Sequence, residues 1–342
     1  MPKLEDPIIE YLTAAGFDIR VAYWGRHGEQ ERIGIKLVSR VQDLFRIRRW
    51  MLAGPASAIF VHTSHNWLTL LRDIPLLAGV RSSGRPVIVQ LHGSAIERVA
   101  KSLLFRSATR LLASSADAIL VMSNEEASEL KRWVPASKIH TVSYLYVPPK
   151  VRRRPTALSP NEPLRLLFAG RLVAEKGILD LLEAIELDPG MNVSLCIAGE
   201  GGLLVGIRHR IARSANLQHK VLVAGYLTGG ALEDAYNKAE VFVLPTYHAE
   251  GFPHAVIDAL GHGLGLICTR TRGIGDHLEE PRNALFVPAR NPEALARAIY
   301  QLAVDRKLVA AMQGAAREVT ARFLPGEAGA KYADILRQLS PA

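Results

Sequence analysis

Residues 239–280 read AEVFVLPTYHAEGFPHAVIDALGHGLGLICTRTRGIGDHLEE, and the fold can be worked outward from them. Val241–Leu244 is a short apolar run with the length of a buried strand. A loop follows, ending in Glu250-Gly251-Phe252-Pro253, and then a helix that carries Asp258. Pro253 suits the first helical position, where its missing N–H is no loss. That helix is apolar almost all round, which predicts a helix inside the protein whose one carboxylate has a polar duty. A glycine-rich turn and a second strand, Leu266–Thr269, come next. Glu250 therefore sits beyond the carboxyl end of a strand, where ligands bind in open α/β sheets.

The same alternation continues in both directions. Ahead of the stretch, strands are predicted at Leu164–Ala169, Val193–Ala198 and Val221–Ala224, and Ala284–Val287 follows it. Helices are predicted in the gaps at Ile178–Glu186, Leu203–Ala215 and Ala231–Lys238, and after Pro288 at Pro292–Leu302, Arg306–Arg322 and Glu327–Leu339. The first half predicts strands at Asp18–Tyr23, Ala58–His62, Arg85–His92, Ala118–Met122 and Ile139–Val142. Its helices are Leu4–Ala15, Val38–Leu52, Trp67–Leu77, a long one near Ala95–Ala113, and Asn124–Trp133. Alternating strands and helices give parallel sheets with helices on both faces. Between the halves, VPPKVRRRPTALSPNEP at 147–163 has five prolines and four basic residues without apolar periodicity, which marks a linker. The expected organisation is a Rossmann-like domain over 1–150, a second over 160–325, and a carboxyl-terminal helix at 326–342 packing back on the first domain.

The 342 residues are 49% hydrophobic and 22% charged, enough for two cores. Cys196 and Cys268 both lie in apolar strand-like runs and read as reduced core residues. No apolar run approaches the roughly 20 residues of a membrane span, and MPKLEDPIIEYL lacks the layout of a signal peptide, so the expected location is cytoplasmic. The net charge of +9 is uneven: residues 1–150 hold 20 Lys/Arg against 13 Asp/Glu. That half suits an anionic partner, whether phosphate, acidic lipid or nucleic acid, or else simply keeps the chain soluble. No nucleic-acid reading motif accompanies the charge.

Two glycine turns carry the chemistry. Gly170-Arg171-Leu172-Val173-Ala174-Glu175-Lys176-Gly177 places two cations between a strand and a helix, a layout for an anion. Ala198-Gly199-Glu200-Gly201-Gly202 follows the next strand at the same sheet edge. With these in hand, the chain resembles the retaining glycosyltransferases of family 4 (glycosyl transferases group 1), which have the GT-B architecture. Gly170-Arg171-Leu172…Glu175-Lys176-Gly177 matches that family's GRL…EKG, and Ile197-Ala198-Gly199-Glu200-Gly201 its IAGEG. Val243-Leu244-Pro245 followed by Glu250-Gly251-Phe252-Pro253 matches LPS…EGFP, and Asn291-Pro292-Glu293-Ala294-Leu295 matches the helix after a VPP-type turn. The ordered set is far more specific than any one glycine motif.

The resemblance implies two doubly wound domains facing across a cleft, and a sugar moved with retention from a nucleotide-diphosphate sugar to a glycan or lipid-linked acceptor. Cell-surface polysaccharide assembly at the inner membrane face is the implied setting. Arg171 and Lys176 would bind the diphosphate and stabilise it as the leaving group, without a metal or other cofactor. Glu250 would bond donor-sugar hydroxyls, and Gly251 and Phe252 would offer backbone N–H groups, with Gly199 in the same donor site. Asp258 would hold the ribose, and His92 in His92-Gly93-Ser94 would lie near the reacting sugar. Three departures stand out: Asp258 replaces the family's second glutamate, Gly265 its usual proline, and the chain opens inside what reads as the family's first helix. The first domain is therefore expected to lack its first strand, with the natural start lying upstream; an in-frame stop just upstream would rule that out.

On the acceptor side, His62, His65 and Asn66 follow a strand end and are acceptor candidates. A metal at the His-x-x-His pair has no third ligand in view. VQDLFRIRRWML at 41–52 suits either an anionic membrane surface or an amphipathic helix packed on its own sheet. Rival readings on the same fold are a sugar-nucleotide epimerase, a phosphorylase (for which no pyridoxal-lysine motif appears) and a non-catalytic or impaired nucleotide-sugar-binding subunit.

Overall fold

The computed structural model describes residues 6–22, 42, 45–47, 49, 57–81, 83–148, 161–248 and 250–340. By internal contacts the chain divides into two units. One comprises Met1–Leu145 with Ala249–Gly251 and Pro325–Ala342, and the other comprises Tyr146–His248 with Phe252–Leu324.

The first unit holds a four-stranded parallel sheet in chain order: β1 (Ile59–Thr63), β2 (Val87–Leu91), β3 (Ala118–Val121) and β4 (Ile139–Thr141). Every residue of β2 and β3 is buried, as expected of strands covered on both faces. Their side chains pack with Leu70, Leu77, Phe105 and Leu112 from the helices Trp67–Arg81 and Leu103–Ser114. The helix Pro325–Leu339 belongs to this unit. Its fully buried Tyr332 receives a hydrogen bond from Gln90 Nε2 (3.1 Å) and donates to the carbonyl of Ser143 (3.1 Å). Gly329 lets the same helix lie against Tyr11 of the helix Asp6–Ala14, since a Cβ there would come 2.5 Å from the ring.

Two expectations fail in this unit. Residues 18–22 are irregular instead of a strand: their side chains are largely exposed, and they pair with no strand among the described residues, and an extended segment without a ladder is marginal in water. The long helix near Ala95–Ala113 is two helices, Ile96–Lys101 and Leu103–Ser114. Ser102 between them is extended and accepts from Phe105 N, so its hydroxyl starts a new helix instead of continuing the old one. The helix expected at Val38–Leu52 lies mostly outside the described residues. Within it Ile47 is buried, whereas Phe45, Arg46 and Arg49 are exposed.

The second unit is a six-stranded parallel sheet. Its strands are β5 (Leu164–Ala169), β6 (Val193–Ala198), β7 (Val221–Gly225), β8 (Val241–Leu244), β9 (Gly265–Cys268) and β10 (Ala284–Phe286), in the order β10-β9-β8-β5-β6-β7. The order reverses between β5 and β8, and this topological switch point is where doubly wound sheets receive ligands. Both cysteines are free, in β6 and β9. The helix expected over Leu203–Ala215 ends at Arg213, because Ser214 turns extended and caps a further helix, Ala215–Lys220, by accepting from Leu217 N.

Candidate functional site

At the switch point of the second unit, backbone meets backbone. Gly170 N donates to the carbonyl of Ala198 (3.0 Å) and Leu172 N to that of Glu200 (2.8 Å), zipping the turn after β5 to the turn after β6. A Cβ on Gly199 would lie 1.9 Å from the Gly170 carbonyl oxygen, so this approach excludes any side chain. Gly199, a donor-site candidate from the sequence, thus has a structural duty that accounts for it without a ligand. Gly177, at φ +74°, ends the turn and begins the helix Ile178–Leu187; a Cβ there would strike the Pro245 carbonyl at 2.3 Å.

This packing brings the loop after β8 onto the cationic turn. Thr246 Oγ1 (3.0 Å) and Tyr247 N (2.9 Å) both donate to the Glu175 carbonyl, and His248 N donates to Thr246 Oγ1 (3.1 Å). Arg171 is exposed, its Nη2 3.4 Å from His248 Nε2, whereas Lys176 is buried. The Arg290 guanidinium covers the Tyr247 ring at 4.3 Å. Thr246, His248 and Arg290 were not among the sequence candidates. Only Thr246-Tyr247-His248 carried a signal, its place between the strand and Glu250.

Pro253, expected as the first helical residue, is instead the cap of the helix His254–Gly261, which starts one position later. The Phe252 ring is buried against His277 (5.4 Å between centroids) and Phe323 (5.2 Å). On that helix, burial pushes the Asp258 carboxyl up to about 6. Its charge in turn helps burial to raise the Tyr236 hydroxyl well above its usual range, and that hydroxyl donates to the Ala255 carbonyl (3.3 Å).

The first unit assembles its candidates from side chains. His62 in β1 and His92 just past β2 are hydrogen-bonded, Nδ1 to Nε2, at 3.0 Å, and His92 Nδ1 lies 3.3 Å from the Tyr144 hydroxyl. Burial lowers His92 to about 4. Burial first, and then His92, lowers His62 to about 3, so both rings are neutral at pH 7. Tyr144 is pushed up by burial and then by the charges of Glu250 and Glu126. Neutral rings carry one N–H each, so the three groups form a chain of single-proton hydrogen bonds.

Glu126 supports that chain. It is fully buried in the first turn of the helix Asn124–Leu130, where its N–H is capped by Ser123 Oγ. Its carboxylate accepts from Ser94 N (2.6 Å), Ser94 Oγ (2.8 Å) and Met122 N (3.1 Å), fixing the turn beyond His92. The Glu250-Gly251 segment belongs to this unit because Gly251 presses on Met122, where a Cβ would come 2.4 Å from the Met122 Cβ. Glu250 and His92, separated by over 150 residues, therefore converge on Tyr144.

The three acceptor candidates do not act together. His62 turns to His92. His65 is buried, with Nε2 on Thr109 Oγ1 (2.9 Å) and Nδ1 accepting from Ala95 N (3.2 Å), so both ring nitrogens are engaged internally. Asn66 caps the helix Trp67–Arg81 by accepting from Thr69 N, while its own N–H donates to Thr69 Oγ1. His65 and Asn66, expected on the acceptor side, are each engaged in these internal bonds. Among the described residues no group of three or more His, Cys, Asp or Glu could hold a metal ion.

Residues 151–319 match the family described as glycosyl transferases group 1, and residues 8–144 match the glycosyl transferase 4-like domain. The chain belongs to the group 1 glycosyltransferase family. The chain is similar to the amylovoran biosynthesis glycosyltransferase of Erwinia amylovora, 27% identical over 214 residues, covering 60% of this chain and 52% of that protein. It is also similar to a GDP-mannose-dependent α-(1-6)-phosphatidylinositol monomannoside mannosyltransferase of Mycobacterium tuberculosis, 27% identical over 297 residues, or 79% of this chain and 73% of that one. Against several curated relatives the chain spans only a third to a half of their length, 31% to 52%. In fold, this group 1 family member is similar to the Anabaena protein HepE solved with UDP, with a TM-score of 0.72 at 14% identity over 90% of this chain and 85% of that one. The fold is that of the GT-B glycosyltransferases, two parallel-sheet α/β domains.

Proposed function

We propose that this chain moves a sugar, with retention of anomeric configuration, from a nucleotide-diphosphate sugar to a glycan or lipid-linked acceptor. The observation that carries the reading is the turn at 170–177, where exposed Arg171 and buried Lys176 stand together at the switch point between β5 and β8. Two fixed cations there offset the negative charge that grows on a departing diphosphate. The guanidinium forks onto phosphate oxygens and the ammonium acts as a point charge. On this reading the charge comes from the protein and the reaction is metal-independent. Glu250 holds hydroxyls of the transferred sugar, with backbone N–H groups from Gly251 and Phe252, and Asp258 holds the ribose. His92 stands at the reacting sugar, and its neutral ring brings no positive charge to a centre where positive charge develops.

The relatives supply the setting. One is named for amylovoran biosynthesis and another for a phosphatidylinositol mannoside, and HepE was solved with UDP. A cell-surface polysaccharide or glycolipid made on the cytoplasmic side of the membrane is the corresponding role here. The test is a screen of UDP-, GDP- and ADP-sugars by thermal shift, since a ligand bound only by the folded state raises its stability. Product anomers are then read by NMR. A donor that shifts the melting transition and yields a product with the donor's anomeric configuration supports the reading. Inverted product overturns retention. Binding without turnover on any acceptor overturns the transferase in favour of a nucleotide-sugar-binding subunit.

A further inference from the structure

The helix Trp67–Arg81 is apolar on both faces. Leu70, Leu76, Leu77 and Val80 are buried, while Leu68, Leu71, Pro75 and Ala78 form an exposed stripe at helical spacing. Leu68 and Leu71 are 76% and 68% exposed. The helix Leu103–Ser114 shows the same excess at its start, with Leu103 and Leu104 at 73% and 75%. The Trp67 indole meets the Phe105 ring edge-on at 5.2 Å, which holds these two helix starts side by side. Exposed leucines scattered singly need no explanation, but four of them with a tryptophan at one pair of helix ends mark an interaction surface.

Cations border it. The stretch 96–114, IERVAKSLLFRSATRLLAS, has Arg98, Lys101, Arg106 and Arg110 against the single acid Glu97. Arg106 is spent locally, on the carbonyls of Val99 and Ala100 and over the Trp133 ring at 3.6 Å. Arg98 and Lys101 are exposed beside Leu103 and Leu104. A second copy of the chain docked here through a twofold axis would bring like charges together. An anionic lipid surface answers both features, taking the leucines and tryptophan into its interface and pairing the cations with headgroups. Among the described residues no helix is long and apolar enough to cross a membrane, so the contact is with the surface only.

We propose that the paired starts of the helices Trp67–Arg81 and Leu103–Ser114 dock this protein on a bilayer that carries anionic lipid. This does not depend on the sugar-transfer reading, because lipid binding is measured without turnover. The experiment is co-sedimentation of the full chain with vesicles of phosphatidylcholine alone or mixed with phosphatidylglycerol. The wild type is expected to pellet with the mixed vesicles and to stay in the supernatant with phosphatidylcholine. Leu103→Ser/Leu104→Ser, which changes only exposed side chains, is expected to lose about thirtyfold or more in partitioning. Arg98→Ala/Lys101→Ala is expected to lose about thirtyfold on the mixed vesicles. An unchanged melting transition shows that each variant is folded, and the charge pair carries the test should the leucine pair fail to fold. Equal binding to both vesicle types, no binding to either, or partitioning of the folded variants like the wild type overturns the proposal. So does a dimer in solution that the leucine change dissociates, since the surface would then belong to a second copy.

Discussion

The two units build their candidate sites from different materials. In the second, the turns after β5, β6 and β8 are fixed by backbone against backbone, and the polar side chains ride on that frame. In the first, the polar side chains are themselves the frame: His62, His92, Tyr144 and Glu126 bond one another or the turns around them, and Glu250 joins through its charge. A backbone frame is intolerant of added atoms and nearly blind to pH. A side-chain frame of buried titratable groups has the opposite weaknesses.

If that contrast holds, the largest effect comes from adding one carbon to the backbone frame. Gly199→Ala sets a methyl against the Gly170 carbonyl at a distance no carbon occupies. It is expected to lower stability by about 3 kcal/mol or more in a denaturant titration. A near-neutral result would mean that the two turns separate easily. In the side-chain frame the counterpart is Glu126→Ala, which strands Ser94 N and Met122 N without their acceptor. About 2–3 kcal/mol is expected to be lost, because bonds to a buried charge are lost along with it. Equal stability of variant and wild type would show that water replaces the carboxylate without cost.

The pH responses of the two units have opposite signs. His62 and His92 have folded values of about 3 and about 4 against an ordinary 6.5, so the unfolded chain binds more protons. Their contribution to stability is complete above pH 6.5 and is lost as pH falls from there through about 4 for His92 and about 3 for His62, at up to about 1.4 kcal/mol per pH unit per ring. His92→Gln is expected to flatten that slope, and an unaltered slope would assign the acid sensitivity elsewhere. Asp258 is raised to about 6 from an ordinary 3.8, so its contribution is present below about pH 4 and is lost as pH rises through 6. Asp258→Asn is therefore expected to stabilise the protein at neutral pH by about 1 kcal/mol, the carboxyl still reaching some water, and to leave stability at pH 4 unchanged. A variant equally stabilised at both values would contradict the assignment.

The same difference in materials decides what the sequence reveals. A backbone frame writes itself in glycine, and Gly170, Gly177, Gly199 and Gly251 stand out before any coordinates exist. Strands β5, β6 and β8 carry the bounds expected of them, because short apolar runs ending in glycine or proline have one reading. The side-chain frame leaves no such trace. Tyr144 looks like an ordinary residue, His62 stands out only as an acceptor candidate and not as a partner of His92, and Ser123-Asn124-Glu125-Glu126 reads as a helix cap without disclosing that its glutamate reaches Ser94, 32 residues away. The failures have a related root. Whether residues 18–22 form a strand depends on a neighbour to pair with, and a serine such as Ser102 is compatible both with continuing a helix and with capping a new one.

The proposed sugar transfer is tested most directly by release of nucleoside diphosphate from the donor found in the screen, for wild type, Lys176→Ala and Glu250→Ala. Both variants are expected to bind nucleoside diphosphate or donor to some degree and to lose about a hundredfold or more in kcat, since each loses an interaction that strengthens as the sugar departs. Turnover by either folded variant at the wild-type rate would contradict the account.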